Sequence, residues 1–312
     1  MNQQFGGRAV AALCLVGALS YSSAASAEPV QREFASPEHA AHALLDAMKA
    51  KDPAKLAAIL GPNSEDLINS GDNVADAEAE AQFTAAYAAQ HKIVETSKIK
   101  AELLLGKTAF PFAIPIVKSG AQWHFDAAAG RDEILARRIG RNELNAIEVC
   151  RTYVQAQNEY AGDDRLAGVS FEYAQHLQST PGTHDGLYWS GEPQSPFGPL
   201  IATARAEGYD QSTADSVDHK PYHGYFYKVL TQQGPAAPGG AHDYLVNGHM
   251  IGGFALVAFP ARYDDSGVMT FIVNHEGVVY QKNLGPDTAK IASAMTAFNP
   301  DEGWEKVQPA TQ

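Results

Sequence analysis

The sequence predicts an α+β fold: N-terminal helices plus a small antiparallel sheet, then a long helix packed on an antiparallel meander. Three observations carry this. Apolar residues recur at helical spacing near residues 41–60 and again over 131–160. Short apolar runs bounded by Gly, Pro, Asn and Asp occupy 99–125 and 222–284, as strands and turns would. Finally, Asn247-Gly248 separates Tyr244-Leu245-Val246 from His249-Met250-Ile251 and supplies the two φ > 0 positions of a type I′ hairpin turn.

Taken in order, residues 1–27 are expected to be an export signal. Arg8 gives the positive start, Ala9 to Ser20 the apolar stretch, and Ala25-Ser26-Ala27 the small-residue cleavage site. The stretch is short of the roughly 20 residues a membrane-spanning helix needs. Leu13 stands where a lipoprotein signal would place a small residue before Cys14. No later run is long enough to span a bilayer, so no integral membrane segment is expected after signal cleavage. The expected location is periplasmic or secreted. Only Cys150 then persists, which excludes an internal disulfide; beside Ile147 and Val149 it reads as a small buried hydrophobe. Lys and Arg number 23 against 36 Asp and Glu, a net charge of −13. Arg8 is the signal's only charged side chain, so cleavage would deepen this by one. Such a balance disfavours nucleic acid or an anionic membrane as partner.

Residues 28–130 are expected to form an N-terminal domain. Ser36-Pro37-Glu38 is an N-cap, a Pro at N1 and an early acid; Ala41, Leu44, Leu45 and Met48 follow as one buried stripe. Asp52-Pro53 caps a second helix bearing Leu56, Ile59 and Leu60, and Gly61-Pro62 stops it. A third helix is predicted from Ala75 to His91, capped by Asn73, with Phe83 and Tyr87 one turn apart. Strands are predicted at Ile99–Leu105, Phe112–Val117 and Gln122–Phe125.

Residues 131–312 are expected to form the second domain. The chain is helical from Arg131 to Tyr160, with a break expected at Gly140 and a new N-cap at Asn142. A loop-rich stretch, Gly182 to Asp218, holds one helix at Leu200–Glu207. In the meander, the turns Asp264-Asp265-Ser266-Gly267 and Asn274-His275-Glu276-Gly277 are each expected to close on a left-handed Gly. A final helix is predicted at Asp287–Phe298.

Several residue runs resemble the uncharacterised bacterial family called domain of unknown function 2950: Phe34 to Glu38, Gly71-Asp72, Phe125 to Arg131, Ile139 to Glu143, Pro221 to Tyr225, Gly248 to Phe254 and Ser266 to Phe271. The resemblance covers nearly the whole chain after the signal. It implies an exported protein of Gram-negative bacteria and brings no catalytic residues. The N-terminal part also resembles the cone-shaped NTF2-like domains. The helix from Asn142 and the meander after it resemble the globular head of a type IV pilin or pseudopilin. A pilin's apolar N-terminal anchor helix is missing from that position, so the resemblance implies a reused head and not a filament subunit.

No reaction is spelled out. His39 with His42, and His219 with His223, lack a third ligand at a recognisable spacing, so no metal is expected; no cofactor is expected either. Gly162-Asp163-Asp164-Arg165 departs from a calcium loop at Arg165 and Ala167. Asp72 and Asp76 read as paired carboxylates for acid–base work or, more simply, as helix-start residues. With Tyr87, His91 and His124 they form the candidate ligand-binding set of an N-terminal cavity. Arg131, Arg137, Arg138 and Arg141 read as a solvated helix face interleaved with Asp132, Glu133 and Glu143, an anion or partner contact being the other reading. Tyr225 and Tyr227 share one face of a strand and are the candidate partner-binding strip. The expected role is a non-enzymatic binding or assembly module whose partner is another envelope protein. The alternative is a small-molecule binder or hydrolase using the N-terminal cavity.

Overall fold

A computed structural model describes residues 31–162, 171–207, 209 and 221–308. The expected signal (1–27), the run from Asp163 to Ala167, and His219 lie outside the described residues. The fold is α+β, as predicted. Among the described residues no helix is long and apolar enough to cross a membrane.

Helices α1 (Pro37–Ala50) and α2 (Pro53–Leu60) begin as their sequences dictate. Ser36 and Asp52 each accept a backbone N–H of the first turn, and a Pro occupies the first helical position. A short helix α3 (Glu65–Ile68) leads to α4 (Asn73–Ala89). The cap of α4 is Asp72, not the expected Asn73, because its carboxylate reaches both Val74 N and Ala75 N. Strand β1 (His91–Ser97) was not predicted; His91, expected to end the helix, instead opens this strand. It pairs antiparallel with β2 (Lys100–Leu105), which also pairs with β3 (Phe110–Pro111) and β4 (Ile116–Ser119); β5 (Gln122–Phe125) closes the sheet. One hydrophobic cluster, from Phe34 to Ala127, unites the helices with the sheet face that bears Ala101, Leu103, Trp123 and Phe125.

Helix α5 (Ala127–Gly162) is continuous for 36 residues. The break expected at Gly140 does not occur. A single helical Gly costs only about 1 kcal/mol against Ala, and the side chains on either side of it are held by tertiary bonds described below. Ile134, Arg138, Asn142 and Ala146 fall four residues apart on one face. The stripe begins and ends apolar and is polar in the middle.

The second cluster runs from Ala146 to Phe298. It contains β6 (His176–Gln178) and β7 (Gly186–Tyr188), helix α6 (Gly198–Ala206), and a five-stranded antiparallel sheet. That sheet draws on β8 (Tyr225–Leu230), while β9 (Gln232–Gln233) and β10 (His242–Asp243) pair outside it. The Asn-Gly hairpin is formed by β11 (Leu245–Val246) and β12 (His249–Met250), with Asn247 at φ 53° and Gly248 at φ 85°. It stands off the sheet as a separate two-stranded unit. The sheet continues through β13 (Ala255–Pro260), β14 (Met269–Asn274) and β15 (Tyr280–Asn283), and ends at β17 (Glu305–Lys306). The final helix α7 is shorter than predicted, Thr288–Ala294, because Ala297–Phe298 form β16 beside β9.

Gly277 takes the left-handed conformation expected of its turn, at φ 74°. Gly267 does not. Asp264 carries the positive φ of that turn (62°), and Gly267 is needed for another reason: a Cβ there would overlap the Tyr225 hydroxyl and ring. Tyr225 and Tyr227 are both buried, contrary to the expectation of an exposed strip. The half-exposed face of β8 carries Phe226 and Lys228 instead.

Candidate functional site

The polar middle of α5 is where the two hydrophobic clusters meet. Arg138, buried there, donates to Asp66 O (2.7 Å) and Leu67 O (3.2 Å) on the N-terminal side and to the Asp265 carboxylate on the other. Arg262 joins Asp265 and also donates to Asn69 O. Asn142, expected as a cap, is buried and donates to Ser266 O at 2.9 Å. Glu143 accepts the N–H groups of Val268 (3.0 Å) and Met269 (2.9 Å), fixing the start of β14. The basic cluster is therefore not a uniformly solvated face. Arg131 is engaged as well, on the N-terminal side, with Asp66 and Asn63 O.

Asp72 is the second tie. It is 4% exposed, and its carboxylate accepts four hydrogen bonds. One oxygen takes Val74 N and Ala75 N, both at 3.1 Å; the other takes the Tyr209 hydroxyl at 2.7 Å and Gly224 N at 3.1 Å. The Tyr209 oxygen in turn accepts His223 N at 3.2 Å. Gly224 sits at φ +74°, and a Cβ on it would lie 2.5 Å from Asn142 Nδ2, so this close approach demands glycine.

Around this tie stand Glu207, Tyr222 and His223. His223 Nε2 lies 3.3 Å from Glu207, and the Tyr222 hydroxyl 3.5 Å from the same carboxylate. Burial pushes the His223 imidazole below its ordinary range, against the opposing pull of Glu207. Burial and Glu207 together push the Tyr222 phenol up. Burial, reinforced by the bond to Asp72, does the same for Tyr209.

Beside the junction is a cavity of about 240 Å³ between α1, α2, α3, α4, the β3–β4 connection and α5. Met48, Leu56, Leu60, Phe83 and Ile114 supply apolar wall; Asp76, Glu80, Arg137, Arg138 and Arg141 bring charge to it. Burial raises the Glu80 pKa above the usual carboxylate range. Of the five residues predicted to bind a ligand, Asp76 alone lines this cavity. Both of its oxygens accept Ser70 N, at 3.0 and 3.2 Å. Tyr87 is buried and stacks on His91 at 3.8 Å, away from the cavity. His124 stands half-buried on β5, its Nδ1 buried without a partner among the described residues, on the face opposite Trp123 and Phe125. A more open groove of about 560 Å³ near α1 is lined by Arg32, Glu33, His39, His42, Asp46 and Lys55 among others. Among the described residues no group of three or more His, Cys, Asp or Glu is arranged to hold a metal ion.

Sequence reasoning did not find Glu80, nor the cross-chain partners of Arg138 and Asp72. Asp66 and Asp265 lie 72 residues before and 127 after Arg138, and no local pattern marks such pairs. The signal available was convergence: Gly71-Asp72, Ile139 to Glu143, Pro221 to Tyr225 and Ser266 to Phe271 all carry the family resemblance, and all meet at this junction.

Neither a curated protein nor a solved structure matches the chain significantly, so the NTF2-like and pilin-head resemblances gain no support from known folds. A family model does match, over residues 31–307, under the description "protein of unknown function (DUF2950)". The chain belongs to that family.

Proposed function

We propose that the protein is a non-enzymatic binding protein of the cell envelope, exported to the periplasm or beyond, that holds a small molecule in the junction cavity. The observation behind this reading is the cavity itself: an apolar chamber with charged groups at its wall, the combination that small-molecule sites share. Catalysis has less support. Asp72 is fully engaged as a tie, and Asp76 is held by Ser70 N, so neither is placed to move a proton. Docking of another envelope protein through Tyr225 and Tyr227 loses its basis, because both side chains are buried.

The test uses full-length protein recovered from the envelope fraction of its own cells. Native mass spectrometry is expected to show a bound small molecule that is released on denaturation. Ala79→Trp, which fills the cavity from α4, is expected to abolish it. Recovery of wild-type protein without any bound mass, together with no thermal shift from a broad metabolite panel, refutes the reading. Export is checked by fractionation and by an N-terminus beginning at Glu28.

A further inference from the structure

We infer that the junction cavity takes a small apolar molecule carrying a carboxylate, with its chain or ring among the aliphatic side chains and its acid group against Arg141. This rests on the binding role proposed above and adds the ligand's chemical class.

Five charged side chains line the cavity, and their engagements differ. Arg138 is used at the junction by two carbonyls and Asp265. Arg137 bonds Glu133 at 2.7 Å and Pro111 O at 3.3 Å, and its guanidinium lies 4.4 Å over the Phe110 ring. Asp76 holds Ser70 N. Arg141 makes no side-chain hydrogen bond or ion pair among the described residues, although it lines the cavity. Glu80 likewise has none among them.

These two remaining groups are not equivalent. A guanidinium keeps its charge in any protein environment, and its planar fork matches a carboxylate with two parallel bonds. A carboxyl group in an apolar wall is free to take up a proton and lose its charge, and burial already pushes Glu80 that way. A bound anion therefore meets a fixed positive charge at Arg141. Glu80 opposes it only weakly, because burial disfavours the charge of that carboxylate. A bound cation would face the reverse: attraction from an acid whose charge is disfavoured there, and repulsion from an arginine that cannot lose its own. The exposed position of Arg141 puts the acid group at the rim, where it stays partly hydrated while the apolar part is buried.

Three probes with one chain length separate the possibilities: octanoate, octylammonium and octanol, each titrated calorimetrically into the full-length protein. Octanoate is expected to bind about tenfold or more tighter than the other two. Arg141→Ala is expected to erase that margin while leaving octanol unchanged, and Arg141→Glu to move the preference to octylammonium. Tighter binding of octylammonium or octanol, or an unchanged octanoate affinity in Arg141→Ala, overturns the carboxylate assignment and leaves the cavity reading standing. Failure of all three probes to bind overturns both.

Discussion

Replacing Asp72 with Ala tests whether the two halves of the molecule are held together as described. The substitution removes an N-cap, worth about 1 kcal/mol in a typical helix. It also removes the acceptor of the Tyr209 hydroxyl and Gly224 N–H, and hydrogen bonds to a charged group contribute about 1.5–3 kcal/mol each. The terms do not add fully, and deleting a buried carboxylate also relieves its desolvation cost. A net loss of about 3 kcal/mol is expected, read from urea unfolding followed by tryptophan fluorescence and far-UV circular dichroism. Trp123 belongs to the N-terminal cluster and Trp189 to the C-terminal one, so fluorescence samples both. Asp72→Asn keeps the cap but offers an amide where two donors need an acceptor, and should lose about half as much. A loss below about 1 kcal/mol for Asp72→Ala, no more than an ordinary cap, would show that the bonds to Tyr209 and Gly224 contribute nothing.

Three further outcomes are expected. Gly267→Ala should cost about 2 kcal/mol or more in the same assay because its methyl collides with Tyr225, whereas Asp264→Gly should be near neutral; equal effects would refute the division of roles in that turn. His223 has a lowered pKa when folded, so below about pH 6.5 the unfolded chain takes up a proton that the folded one resists. Stability should therefore fall as pH drops from 7 towards 5, by at most about 1.4 kcal/mol per pH unit from this group, and His223→Gln should flatten that slope. His275, also lowered by burial, would keep part of it. Cys150 is fully buried with its thiol pushed up to about 12, so a disulfide reagent at pH 8 should label it only after unfolding; rapid labelling of the folded protein would refute its burial.

What was legible in the sequence is what local chemistry determines. The starts of α1 and α2 and the Asn247-Gly248 hairpin are as read, because capping and left-handed turns are decided by a few adjacent residues. The apolar run at β13 was legible as a strand, and every residue in it is buried. Strand β1 was missed because most of its residues are exposed, leaving no apolar alternation to see. Gly140 misled because propensity is weak against tertiary bonds on both sides of it. Arg138 and Asn142 looked like surface and cap residues because their partners, Asp265 and Ser266, are more than 120 positions away. Tyr225 and Tyr227 were correctly placed on one face, but strand period alone does not say which face is covered.

Helix α5 has a consequence for anyone who wishes to take the molecule apart. At 1.5 Å per residue its 36 residues span roughly 54 Å, and it carries walls of both clusters along one rod. The boundary expected between residues 130 and 131 falls at the end of its first turn, where Gly130 lies so close to Ile114 that a Cβ would sit 2.7 Å from the Ile114 Cα. A fragment ending there forfeits Ile134 from its packing, and one starting there begins as an uncapped helix with Arg138 severed from Asp66 and Leu67. Dissection should instead overlap, with both fragments retaining residues 127–146, so that complementation between two separately expressed pieces becomes the practical route to studying either half.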